Sequence, residues 1–258
     1  MPEAQADALR GRVLRVCALY PDLMNIYADR GNLLVLERRC AWRGIGCEIT
    51  ASGLGEALDP DGHDLYYIGG GQDRDQRLCA ADLVALKADA LRAAADRGAV
   101  ILGVCGGYQL LGHSYVLGGE EIPGVGLLDI ETVRVDGPRL IGNVAIDVAA
   151  WTGDAPQARD RVLAGFENHG GRTRLGDRQE PLGRVLRGHG NDGHSGLEGA
   201  RAGNTFGTYL HGPLLPKNVW FADWLIARAL AIEPSELAPL ADALEAQAHL
   251  DARRAAGV

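Results

Sequence analysis

Ala99-Val100-Ile101-Leu102-Gly103-Val104-Cys105-Gly106-Gly107-Tyr108-Gln109-Leu110-Leu111-Gly112 is the stretch that decides the fold. Its first half is apolar throughout, the pattern of a strand buried on both faces of a parallel sheet. The run stops at Cys105, and two glycines then lead into a helical pattern. A side chain on so sharp a strand-to-helix turn is pushed out of the sheet and stands over the first turn of the helix. Backbone N–H groups exposed there favour thiolate over thiol and can hold a developing oxyanion. Cys105 therefore reads as a nucleophile, with the N–H of Gly106 as one oxyanion donor.

Working outward, strand and helix patterns alternate, which predicts an α/β fold: a mostly parallel sheet with helices on both faces. Strands are expected over 13–19, 47–50, 65–68 and 100–104, with helices over 32–43 and 81–95. From about residue 124 to 210 the strands become shorter and glycine-punctuated (132–135, 143–148, 205–210), which suggests an antiparallel extension on the same sheet. Residues 218–232 read as an amphipathic helix and 240–256 as a last, alanine-rich one. The polar, glycine-rich segment 188–193 is expected to be a mobile loop. One domain over 13–235 is the economical division, with a tail over 1–12. The helix within 236–258 would pack on that domain or on a partner.

The 258 residues are enough for one large core, and 47 % of them are hydrophobic. A net charge of −8 argues against general nucleic-acid binding and against a basic face for anionic lipid. The five cysteines (Cys17, Cys40, Cys47, Cys79, Cys105) form no C-x-x-C pair, which disfavours a zinc site or a disulfide framework. The opening Met1-Pro2-Glu3-Ala4-Gln5 is polar and no apolar run approaches membrane-spanning length. A cytoplasmic location is expected, and no metal site.

A thiolate that attacks an amide needs a group to move protons onto the leaving nitrogen, and histidine titrates in the right range. Of seven histidines, His63, His113, His189, His194 and His249 fall in turns, loops or the terminal helix. His211 ends the strand pattern Phe206-Gly207-Thr208-Tyr209-Leu210, at the sheet edge where reactive groups gather in open α/β folds. It ranks first, and His169, in the polar Glu167-Asn168-His169-Gly170-Gly171 motif, ranks second. Gly69-Gly70-Gly71 follows another strand to the same edge, so the N–H of Gly71 is expected to complete an oxyanion hole with that of Gly106.

These pieces resemble the class I glutamine amidotransferases of flavodoxin-like fold, whose nucleophile motif has glycine before the cysteine and glutamine four residues after it, as Gly103-Val104-Cys105 and Gln109 do. Gly165-Phe166-Glu167-Asn168-His169-Gly170-Gly171-Arg172-Thr173 and Thr208-Tyr209-Leu210-His211-Gly212-Pro213 look like the cobyric-acid-synthase branch. Leu19-Tyr20-Pro21-Asp22-Leu23-Met24-Asn25-Ile26-Tyr27-Ala28-Asp29-Arg30-Gly31-Asn32, with Gly69-Gly70-Gly71-Gln72-Asp73-Arg74, is similar to the glutaminase subunits of lipid II isoglutaminyl synthases, the GatD family. The resemblance implies hydrolysis of L-glutamine through a Cys105 thioester, with Gln109 and Arg139 binding substrate. It also implies ammonia delivery to a MurT-like Mur-ligase-family subunit. That partner would hold ATP and magnesium and amidate the D-glutamate α-carboxyl of lipid II.

Most triad amidotransferases carry a glutamate two residues after the catalytic histidine; here that position is Pro213. The orienting acid then comes from elsewhere. The resemblance favours the partner, acting in trans, which predicts a glutaminase that is weak alone. Asp29 is the candidate within this chain, although an acid opening a helix is commonly just a cap. The chain has no G-x-x-x-x-G-K-[ST] motif, so carboxylate activation by ATP is expected on a second polypeptide. Competing readings are an amidase subunit for another acceptor, such as a corrinoid carboxylate, and a cysteine redox sensor on the same fold.

Overall fold

The computed structural model describes residues 9–26, 29–152 and 161–258. The expected tail over 1–12 and the opening motif at Tyr27-Ala28 therefore lie largely outside, or partly outside, the described residues. In chain order the first half runs β1 (Val13–Leu19), α1 (Arg30–Ala41), β2 (Gly46–Ser52), β3 (Leu65–Ile68) and α2 (Asp73–Asp82). A π-helical turn, Leu83–Lys87, joins α2 to α3 (Ala88–Asp96), followed by β4 (Val100–Val104) and α4 (Gly106–Leu111). Then come β5 (Ser114–Leu117), β6 (Glu120–Pro123), β7 (Ile130–Arg134), β8 (Leu140–Asp147) and a short α5 (Ala149–Thr152). β9 (Val162–His169), β10 (Gly171–Leu175), β11 (Gly183–Arg187), β12 (Leu197–Glu198), β13 (Ala200–Ala202) and β14 (Thr205–Thr208) precede α6 (Leu214–Lys217), α7 (Val219–Ala229) and α8 (Ala243–Ala256).

The central sheet has the order β13-β14-β4-β3-β1-β2 and is parallel except for β13. β3 and β4 are buried along their whole length, which explains their uninterrupted apolar sequence. Burial of Val100, Ile101, Leu102 and Val104 contributes about 6–12 kcal/mol as an upper estimate. Of the region expected to be antiparallel, β13 and β14 join this sheet, and β14, within the expected strand 205–210, is parallel to β4 rather than antiparallel. The other strands form two separate four-stranded sheets, β10-β7-β5-β6 and β12-β11-β8-β9. Period-two patterning specifies a strand but not its neighbours.

The segment 188–193 is not a free loop. Glu167 accepts hydrogen bonds from the N–H groups of His189 and Gly190. Buried Asn191 exchanges hydrogen bonds with the Gly199 backbone through both ends of its amide. Polar residues that looked solvated in sequence here tie the turn down, with Gly190 and Asn191 buried beneath exposed Gly188, His189 and Gly193.

α1 is fastened at both ends. Near its C-terminus, buried Arg39 and Arg43 share the carboxylate of Asp223 on α7, with Nη2–Oδ2 distances of 2.6 and 2.7 Å. At its N-terminus, Gly31 meets Pro213, and a Cβ at Gly31 would fall 2.7 Å from the proline Cγ. α8 packs on β8, β9 and α6 of its own chain, with His249 Nδ1 2.9 Å from the Lys217 carbonyl. None of its residues is buried. Among the described residues, no helix is long and apolar enough to cross a membrane.

The junction between β4 and α4 is tight. A Cβ at Gly107 would lie 2.2 Å from the Ile68 carbonyl oxygen, a contact with backbone that no rotamer relieves. Gly107→Ala is expected to cost about 1–3 kcal/mol, read as a lowered urea midpoint with an unchanged m-value.

Candidate active site

β1, β3, β4 and β14 run parallel, so their C-terminal ends converge on one edge. Cys105 follows β4 with φ +52° and ψ −105°, a conformation that costs a non-glycine residue on the order of 1–3 kcal/mol. Its N–H donates to the Thr208 carbonyl at 2.8 Å, and its carbonyl accepts from Gln109 N–H at 3.0 Å. The backbone is thus clamped on both sides while the side chain, 7 % exposed, faces a cavity of about 380 Å³.

His211 lies just past β14. Its backbone exchanges two hydrogen bonds with Phe166 of β9, which fixes the ring against the back of Cys105. The imidazole is fully buried and within electrostatic reach of Cys105. On its other side, Nδ1 is 3.4 Å from Asp29 Oδ1. Burial alone pushes the His211 pKa down. Cys105 and the Asp29 carboxylate outweigh that and raise it to about 10.

Asp29 is also fully buried, and its Oδ2 accepts the Gly70 N–H at 2.7 Å. It does not cap α1; Asn25 Oδ1 accepts the Arg30 N–H at 2.8 Å instead. A carboxylate of this chain therefore stands beside His211, the candidate that the sequence offered next to an acid from the partner. Pro213 explains the placement: it supplies no carboxylate of its own, but it seats the first turn of α1 against the His211 loop.

The Gly106 N–H is a first-turn donor of α4 without a helical acceptor. The nitrogen of Gly71 lies 3.1 Å from where a Cβ on Gly106 would sit, so both donors border one point beside Cys105. Gln109 lines the cavity, but its amide is already engaged: Oε1 accepts from Gln76 and Nε2 donates to Tyr209. Arg139 is exposed at the rim, with Nε and Nη2 both 2.7 Å from Asn168 oxygens. His169 also lines the cavity, stacked on Tyr209 at 3.6 Å and 4°. Burial lowers its pKa to about 3, so the ring is neutral. Its Nδ1 lies 2.9 Å from the Gly171 carbonyl, an acceptor, and so carries the hydrogen. Nε2 presents a lone pair with no hydrogen-bond partner among the described residues.

His63, His113, His189, His194 and His249 do not line the cavity, and no cluster of metal-binding residues occurs among the described residues. Sequence reasoning missed four wall residues: Asp73, Gln76, Tyr115 and Arg134. Asp73 was visible only as part of the Gly69–Arg74 motif, and Arg134 only as a strand residue.

A thiol on a strained elbow, an imidazole behind it, an acid behind that and two backbone donors form the nucleophilic arrangement of an amide-cleaving enzyme. The chain belongs to the glutamine amidotransferases: residues 15–219 match the CobB/CobQ-like glutamine amidotransferase domain. Within that family it is 37 % identical to the lipid II isoglutaminyl synthase (glutamine-hydrolyzing) subunit GatD of Streptococcus pneumoniae, over 84 % of this chain and 80 % of that one. Identity to the GatD subunit of Staphylococcus aureus is also 37 %, over 84 % and 86 %. A cobyric acid synthase from Jannaschia is 33 % identical, over 80 % of this chain and 40 % of that one. In fold, the chain superimposes on the structure of PurLQS from Thermotoga maritima with a TM-score of 0.57, at 20 % identity, over 92 % and 98 % of the two chains.

The raised His211 pKa has a stability consequence. A histidine whose charged form the fold favours adds stability that is fully present below its ordinary value of 6.5 and is lost as pH climbs through about 10. Urea unfolding of the wild type and His211→Asn at stepped pH should give a difference that shrinks between pH 7 and 10. A difference independent of pH would show that the ring is not held charged.

Proposed function

We propose that this chain is the glutamine-hydrolysing subunit of a two-subunit amidating enzyme. Cys105 Sγ attacks the δ-carbonyl carbon of L-glutamine, and the carbonyl oxygen, now an oxyanion, takes hydrogen bonds from the N–H groups of Gly71 and Gly106. His211, as imidazolium, gives its proton to the amide nitrogen. The C–N bond breaks, ammonia leaves and a γ-glutamyl thioester remains on Cys105. His211, now neutral, takes a proton from water, the hydroxyl adds to the thioester carbon and the C–S bond breaks. Glutamate departs and the sulfur regains its starting state.

Asp29 keeps the imidazole aimed at the sulfur and stabilises its charged form. Arg139 at the rim offers a guanidinium to the α-carboxylate, while Gln109, held by Gln76 and Tyr209, shapes the wall behind it. The observation that carries this reading is the buried line Cys105–His211–Asp29 ending on an open cavity.

The ammonia is passed on. The similarity to GatD extends over at least four fifths of those subunits. It supports a MurT-like, Mur-ligase-family partner that binds ATP and magnesium and amidates the D-glutamate α-carboxyl of lipid II. A cytoplasmic setting fits that chemistry, since the activated nucleotide is found there. The same hydrolysis would serve a corrinoid-type acceptor, so the partner alone decides the product. The redox-sensor reading does not account for the oxyanion donors or the cavity.

Cys105→Ala in the complex is expected to abolish glutamine hydrolysis, a loss of at least about 10³-fold in kcat. Asp29→Asn is expected to lower kcat by about 10²–10⁴-fold with little change in KM, since it disturbs proton transfer. Full activity of the asparagine variant would mean that the orienting acid comes from the partner. The acceptor is tested by ATP-dependent amidation of lipid II with the co-purified synthetase; a complex that turns over glutamine but leaves lipid II unchanged overturns that assignment.

A further inference from the structure

The cavity beside Cys105 has one acidic residue in its wall. Arg74, Arg134 and Arg139 line it, while Asp73, the first residue of α2, is the only carboxylate there among the described residues. Asp73 lies in the first turn of α2, whose N-cap Gln72 makes no side-chain capping hydrogen bond. Its Oδ2 is 3.3 Å from Arg134 Nη1, and the two side chains are 45 % and 34 % exposed. An ion pair so long and so wet contributes little to folding. Tyr115, 2 % exposed, is within electrostatic reach of Arg134, Asp73 and Cys105. The guanidinium of Arg134 also lies against the backbone of Gly170. Arg134 is therefore placed at the cavity wall, where it meets one carboxylate oxygen of Asp73.

We propose that Asp73 is the receptor for the α-ammonium of the amino-acid amide, positioned by Arg134, so that the site reads a zwitterion rather than a simple amide. The proposal rests on the glutaminase reading above and adds the specificity to it. The α-carbon of glutamine is three carbon–carbon bonds of about 1.5 Å from the δ-carbon, so a substrate bonded at Cys105 keeps its α-substituents inside this cavity. The cavity separates the two signs of charge: the ammonium meets Asp73 and the carboxylate meets the arginines. A carboxylate binds an ammonium more strongly than the neutral lone pair of His169 Nε2 does. An amide that lacks the amino group leaves Asp73 facing no cation of the ligand.

The test compares L-glutamine with glutaramate, the same molecule without its α-amino group, using the intact complex. Wild type should prefer glutamine. Asp73→Asn should lower kcat/KM for glutamine by about 10- to 100-fold, mostly through KM, the range for one hydrogen bond to a charged group. It should leave kcat/KM for glutaramate unchanged, and Asp73→Glu should restore part of the preference. A purely structural role would lower both substrates by the same factor, and that result overturns the proposal while sparing the glutaminase reading. Equal use of the two amides by the wild type overturns it as well. If the wild type hydrolyses neither, the glutaminase reading falls and the Asp73 assignment falls with it.

Discussion

At Cys105 the chain is forced through a backbone conformation that side chains avoid, and most of the site follows from how that conformation is held. The strain is worth on the order of 1–3 kcal/mol, whereas burial of the β4 side chains before it contributes several times as much. The surplus fixes the direction of the turn. Hydrogen bonds from β14 and within α4 leave the residue no room to relax. The sulfur consequently borders both the cavity and the imidazole, with Gly106 at the start of α4 next to it. A cysteine in ordinary strand or helix geometry could not face all three.

The second constraint is electrostatic. His211 and Asp29 are both fully buried, and a buried ionisable group is costly unless its partners supply the missing solvation. Each has such partners: the sulfur and the carboxylate for His211, and the Gly70 N–H for Asp29. This mutual dependence makes the three residues a unit, so removing one leaves the others with uncompensated charge. His169, the last residue of the strand that pins His211, solves the same problem in the opposite way by staying neutral.

Much of this was legible along the chain, and the limits are physical. β1 and β4 were readable to the residue, because buried parallel strands are continuous apolar runs bounded by turns. Cys105 and His211 were readable because strand ends announce themselves. The separation into three sheets was not, since alternation says nothing about which strands pair. Asp29 carried two meanings in sequence, cap or acid. The structure decides between them by the approach of Asp29 Oδ1 to His211 Nδ1, some 180 positions away, and by the absence of a capping hydrogen bond. The 188–193 turn misled for a related reason: glycine and asparagine suit an exposed loop and a buried hydrogen-bonded one equally well. Asp73 and Arg134 come from a helix and a strand in different layers, and no local pattern joins them.

Helix α1 ends in the doubly bonded Asp223 anchor and begins at the acid that faces His211. Between those points it exposes Leu34 and Trp42 to solvent. Fastened at both ends, the helix fixes where the aspartate at its start sits relative to the imidazole, with no contribution from the residues that line the chamber.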